Sequence, residues 1–153
     1  MCFYNIGKSI GGQIIDSKAV VLANNNVKGD LHIPEFVSYR LRKFPVTRIE
    51  ARAFFHNNEI IRLTLPENLE HLGAWAFSSC PALSDTLVLP KNLKEIGNDA
   101  FCGTNISCLV IKSEKLEPID STLENNFFFN CANLQTIVCE QSVKNLTFSL
   151  LRS

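Results

Sequence analysis

Residues 63–80 read LTLPENLEHLGAWAFSSC, and residues 87–104 read LVLPKNLKEIGNDAFCGT. At an offset of 24 positions Leu63 falls on Leu87, Leu65 on Leu89, Pro66 on Pro90, Asn68 on Asn92 and Leu69 on Leu93. Leu72 then falls on Ile96, Gly73 on Gly97, Ala76 on Ala100 and Phe77 on Phe101. Units this short cannot close a core alone, so a chain written this way must bury its apolar faces by stacking unit on unit. Weaker copies flank the pair. Upstream, Leu31–Pro34 (LHIP) is followed after an insertion by Val46, Ile49, Ala53 and Phe54 in register. Downstream come Cys108–Ile111, Leu116–Ile119 and Phe127–Cys131, and Leu134–Cys139 opens another copy. The expected organisation is one domain: an N-terminal β-hairpin cap over 1–45, then repeats of about 24 residues over 46–153, four units with the last incomplete.

Each unit has a physical logic. Leu63 and Leu65 alternate with Arg62 and Thr64, the period of a strand with one face buried. Pro66 ends that strand because it has no N–H for the ladder. Leu69 with Leu72, and Leu93 with Ile96, supply a second inward pair. Gly73 and Gly97 are expected to turn the chain at positive φ. The Ala-Phe pair that follows fits a tight turn or a single helical turn. Phe54, Phe77, Phe101 and Phe128 are predicted to form an internal aromatic stack, one ring per layer.

The six cysteines show no C-x-x-C pair, and the three histidines lie near none of them in sequence, so neither a zinc site nor a cofactor is expected. Cys80 and Cys131 follow a stacked Phe by three positions, and Cys139 matches the inward Leu65, Leu89 and Ile111. Small buried thiols suit such places. Cys80 and Cys131 fall two layers apart, about twice the 4.8 Å strand spacing, too far for a disulfide. Cys108 falls on an outward strand position.

The pattern L-x-L-P-x-N-L-x-x-[LI]-G-x-x-A-F resembles the leucine-rich repeats of the BspA-like class, type 5. It is carried by Leu63–Pro66, Asn68, Leu69, Leu72, Gly73, Ala76, Phe77 and Cys80, and by the copy at 87–104. The N-terminal stretch is similar too, through Gly29, Leu31, Ile33, Pro34, Pro45, Val46, Thr47 and Ile49, although Glu50 stands where glycine is usual. The resemblance implies a right-handed β-rich solenoid with short helical turns, a parallel β face and turn-rich coils opposite. It also implies a bacterial surface or secreted protein, often a lipoprotein, with a role in adhesion. Cys2 is then either an acylated residue or part of an ordinary start. The insertion EPIDSTLENN departs from the pattern, and Phe148, Leu150 and Leu151 suit a cap over the last layer.

Fifteen basic residues balance fifteen acidic ones, which argues against a nucleic-acid or anionic-membrane partner. No apolar run is long enough to span a bilayer, so no membrane insertion is expected. The opening MCFYNIGKSIGG lacks the features of a signal peptide, leaving either a cytoplasmic protein or one whose export signal is absent from this chain. No nucleophile-elbow, P-loop, metalloprotease or dinucleotide motif is present, so no enzyme is expected.

The outward strand positions are the candidate partner-binding face: Arg62, Thr64, Thr86, Val88, Cys108, Val110, Thr136 and Val138. Two accounts fit them. Val88, Val110 and Val138 would make an apolar stripe flanked by threonines, the make-up of an interface. Alternatively, Val and Thr are there because they suit pleated strands. A second row, Thr47 and Arg48, Glu70 and His71, Lys94 and Glu95, Glu117 and Pro118, reads as a solvated face. Asn105 and Asn145 open glycosylation patterns, relevant only in a eukaryotic secretory host. The expected function is a monomeric, non-catalytic module that binds another protein, a host extracellular protein among the candidates. The alternative is a structural spacer or stalk, or an intracellular scaffold.

Overall fold

Alternating apolar residues organise the chain into twelve strands, described in a computed structural model over residues 2–6, 10–23, 26–116 and 127–140. The side chain of Cys2 lies outside the described residues, as do Glu117, Pro118, Asn145, Phe148, Leu150 and Leu151. In chain order the strands are β1 (Cys2–Ile6), β2 (Ile10–Ile15), β3 (Lys18–Val21), β4 (Gly29–His32), β5 (Phe36–Tyr39) and β6 (Arg42–Ile49). There follow β7 (Ile60–Thr64), β8 (His71–Leu72), β9 (Ser84–Leu89), β10 (Glu95–Ile96), β11 (Asn105–Ile111) and β12 (Thr136–Cys139). No helix occurs among these residues.

The strands form the walls of a β solenoid. Two antiparallel hairpin pairings, β1 with β2 and β2 with β3, cover its start. The coils then stack in parallel: β3, β6, β8 and β10 along one wall, and β9, β11 and β12 along another, with β4 pairing β7. The 24-residue offset reappears as strand register where Ile96 lies opposite Leu72. On the other wall the motif positions still align, Leu87 opposite Leu109 and Leu109 opposite Ile137, although the spacing there is uneven. Leu89, Ile111 and Cys139 likewise share one inward row.

Of the two geometries open to the Ala-Phe segment, the chain takes the tight turn. Ala53, Phe55 and Asn57 donate their N–H groups three residues back within the coil, to Glu50, Arg52 and Phe54. The residues between them donate to the next coil instead: Arg52 to Ala74, Phe54 to Ala76 and His56 to Ser78. The next layers repeat this, with Trp75, Phe77 and Ser79 donating to Asn98, Ala100 and Cys102. This alternation satisfies every other backbone amide across the layer boundary, as a sheet would. It requires left-handed backbone at Arg52, His56, Trp75, Ser79, Asp99, Gly103 and Asn130, each two residues from a stacked Phe.

Phe54, Phe77, Phe101 and Phe128 stack as predicted. Successive ring centroids are 4.9, 5.6 and 5.4 Å apart, with planes within 12° of parallel. Such spacing suits offset stacking, worth about 0.5–1.5 kcal/mol per pair beyond the area buried.

Gly73 and Gly97 do not stand at positive φ, which corrects the expectation for them; only Gly29 and Gly103 do so among the described glycines. Their role is close approach. A Cβ on Gly73 would lie 2.3 Å from the backbone nitrogen of Ala51, and one on Gly97 2.3 Å from that of Ala74. Each glycine N–H also donates to the coil beneath, Gly73 to Ile49 and Gly97 to Leu72. Glu50 occupies the same place one coil earlier, where its N–H donates to Val21 at the end of β3. What lies beneath it is a strand end rather than another Ala-Phe turn.

Candidate functional site

Inward leucines fix which side chains of β7, β9, β11 and β12 face outward. Thr86, Cys108 and Thr136 are opposite one another in register, and so are Val88, Val110 and Val138. The face is less exposed than its sequence suggests. Val88, Cys108 and Val110 are half-buried, while Thr86, Thr136 and Val138 are exposed.

Arg62 and Thr64 lie apart from this sheet. β7 pairs with β4, placing Arg62 opposite Asp30 and Thr64 opposite His32, and forms no ladder with β9. The approaches to the two strands differ by one residue. Asn57 to Leu63 spans six positions, whereas the equivalent Cys80 to Leu87 spans seven. Asp85, near the start of β9, has a φ of 72°, and the register shift of the β9–β11 ladder lies on β11, between Ile106 and Cys108. A shallow cleft of about 350 Å³ marks the seam, lined by Arg62, Thr64, Glu67, Thr86, Val88 and Lys112 among others. Arg62 bridges it, 3.3 Å from Asp30 and 3.8 Å from Asp85. Glu67 and Lys112 face each other at 3.8 Å.

The second row folds as charged neighbours. Arg48, His71 and Glu95 are in register, and His71 Nδ1 lies 2.8 Å from Glu95. Glu70 lies between Lys18 at 3.1 Å and Lys94 at 2.9 Å. The Lys94 hydrogen bond, aided by Lys18 and opposed by desolvation, holds its carboxyl below the usual range. Nearby carboxylates do structural work. Glu35 accepts the N–H groups of Glu67 and Asn68, and the Asn68 and Asn92 amides donate to the carbonyls of Glu35 and Glu67 one coil back.

The described thiols are free. Cys80 Sγ donates to the Phe54 carbonyl at 3.2 Å, and Cys131 Sγ to that of Phe101 at 3.1 Å. Burial pushes the Cys80 thiol up to about 11, and raises Cys102, Cys131 and Cys139 too. Thiols held protonated in this way are poor nucleophiles. Among the described residues no three His, Cys, Asp or Glu side chains are grouped to hold a metal ion.

Two surface features escaped the sequence reading. On the turn side, Arg52 lies 5.0 Å over the half-exposed Trp75 ring and 5.9 Å from Phe55. Their signal was present, since Arg52 and Trp75 sit two residues before a stacked Phe. The other is the β5–β6 hairpin, whose tip is Arg40-Leu41.

A family model of the BspA type leucine-rich repeat region matches residues 47–152, in six copies. The chain belongs to the BspA type leucine-rich repeat family. The fold of this BspA type chain is shared with solved structures. A leucine-rich repeat protein from Bacteroides capillosus is 24% identical with a TM-score of 0.70, over 92% of this chain and 99% of that one. A leucine-rich cell surface protein from Faecalibacterium prausnitzii is 20% identical with a TM-score of 0.63, over 94% of this chain but only 44% of its own length. A Bacteroides ovatus leucine-rich repeat protein is 18% identical with a TM-score of 0.56, over 88% of this chain and 40% of that one. The present chain thus spans less than half of two of these proteins. No curated protein matches it. Family and neighbours are bacterial leucine-rich repeat proteins, and nothing in them indicates catalysis.

Proposed function

We propose that this BspA type chain is a non-catalytic, surface-located or secreted module of the adhesion kind that binds another protein through its strand face. The observation that carries the reading is the register of Val88, Val110 and Val138 beside Thr86, Cys108 and Thr136. An apolar row with a polar margin on a rigid sheet suits a partner's extended or flat surface. Arg62 and Thr64, across the seam, would form a separate polar rim. The surface location rests on the description of the F. prausnitzii relative as a cell surface protein.

The test is binding to immobilised extracellular-matrix and plasma proteins. It compares the wild type with Val88→Glu/Val110→Glu and with Thr86→Arg/Thr136→Arg, each first checked for native circular dichroism. Saturable binding to one purified protein, lost in both folded variants, is the expected result. Retained binding in both would move the contact off this face. Absence of any binding would return the row to β-propensity and leave the chain a spacer or stalk.

A further inference from the structure

The two-residue turns of the N-terminal region have the same geometry and different chemistry. β2 and β3 are joined by Asp16-Ser17, with φ of 48° and 62°. β5 and β6 are joined by Arg40-Leu41, with φ of 46° and 63°. Positive φ at both central residues marks the tight hairpin turn that favours Asn-Gly or Asp-Gly. A polar Asp-Ser tolerates it; a leucine there is a backbone outlier, and such outliers concentrate where function holds them.

What the strain presents is unusual. Leu41 is 107% exposed at the apex, touching nothing that would hide its side chain. Directly behind it stand Arg40, Arg42 and Lys43, all exposed. Arg40 rests 5.3 Å from the Tyr39 ring and Arg42 5.6 Å from the Phe44 ring, so both guanidinium groups are held near the tip. None of these three cations meets a carboxylate among the described residues; Arg48, Arg52, Lys91 and Lys115 share that condition but are scattered over the coils, whereas Lys18, Lys28, Arg62, Lys94 and Lys112 are paired. Phe36, half exposed, lies on the same hairpin.

We propose that the β5–β6 hairpin is a docking tip for an anionic lipid surface, with Leu41 entering the headgroup layer and Arg40, Arg42 and Lys43 meeting the phosphates. Order along the hairpin supports this occupant: one apolar side chain foremost, a shell of unpaired cations behind. A bilayer accepts that layering without a matching pocket. A protein partner would need about 1,200 Å² of total contact, far more than a two-residue turn presents. The chain's zero net charge does not oppose it, because surface attraction decays within about 10 Å and is set by local charge.

The experiment is co-sedimentation of the purified chain with two kinds of vesicle, phosphatidylcholine alone and phosphatidylcholine with about a third phosphatidylserine. Wild type is expected to favour the anionic vesicles. Arg40→Ser/Arg42→Ser/Lys43→Ser should weaken this about a hundredfold, each cation contributing about fivefold. The decisive variant is Arg40→Asn/Leu41→Gly, which supplies the residues the turn prefers. Its melting temperature should rise while anionic-vesicle binding falls about tenfold or more. A structural role alone would not move the two in opposite directions. Equal partitioning of wild type to both vesicle types would overturn the proposal, as would full binding by the Asn-Gly variant. Binding to polyglutamate without binding to vesicles would also overturn it, assigning the tip to an acidic polypeptide.

Discussion

The turn side and the strand side of this solenoid are built from the same repeats, yet one is continuous and the other is broken. On the turn side, backbone hydrogen bonds join each described coil to the next between Arg52 and Phe129, and four phenylalanines stack beneath them. On the strand side, the ladder fails between β7 and β9 and a cleft opens. The two sides differ in the constancy of their spacing. Glu50 to Phe54, Gly73 to Phe77 and Gly97 to Phe101 all span four positions. The approach to each strand is irregular: six positions from Asn57 to Leu63, seven from Cys80 to Leu87 and five from Thr104 to Leu109. Coil alignment therefore follows the turns, and the β9–β11 ladder accommodates its unequal approaches through a register shift between Ile106 and Cys108.

If the turn side carries the alignment, its lesions should be the most costly. Phe77→Ala removes the ring between Phe54 and Phe101 and should cost about 4 kcal/mol, measured by urea unfolding. A loss below about 1 kcal/mol would mean that the layers do not depend on the stack. Gly97→Ala should cost about 3 kcal/mol, because the atom its Cβ would strike is backbone and cannot rotate away. Gly103→Ala is the contrasting case. Its φ is +69°, but the nearest atoms lie 3.8 Å from an added Cβ, so only about 1 kcal/mol of backbone strain is expected. Equal costs at the two glycines would refute the close-approach account.

The strand side should respond in the opposite sense. Deleting Asp85 gives β9 the same approach length as β7; if length alone keeps the two apart, they should pair and stability should rise by about 1 kcal/mol through new ladder bonds. Amide exchange would then show added protection at β7 and β9; unchanged exchange with lower stability would show that the seam has another cause. The smallest effect concerns Glu70. Its carboxyl is depressed in the folded state, so the stability it contributes is complete above the ordinary carboxylate range and is lost as pH falls through the folded value. Its partners are partly exposed, so Glu70→Gln should cost under about 1 kcal/mol near neutrality and nothing at low pH. A loss that persists in acid would point to packing instead.

Much of this was legible in the sequence, because aligning the repeated phrase motif by motif, across units of unequal length, specifies which residue lies above which. The Phe stack, the rows Thr86–Cys108–Thr136 and Val88–Val110–Val138, and the inward Cys139 all follow from it. What was not legible depends on relations between coils. Positive φ is the usual reading of a lone glycine, but Gly73 and Gly97 are needed by the backbone of the neighbouring layer. The seam was hidden because the 24-residue offset compares units 63–80 and 87–104 and never samples the approach to Leu63. The hairpin tip was hidden by its residue types, since Arg-Leu announces no turn.

The constancy of the turn module has a consequence for how such a chain can diversify. Because alignment is maintained between the glycine position and the stacked Phe, residues can be added or lost just before a strand without displacing any layer above or below. Each such change alters the local contour of the outward face while leaving the frame unaltered. Loop-length drift, ordinarily a hazard to a parallel sheet, becomes in this architecture a source of new surface shapes.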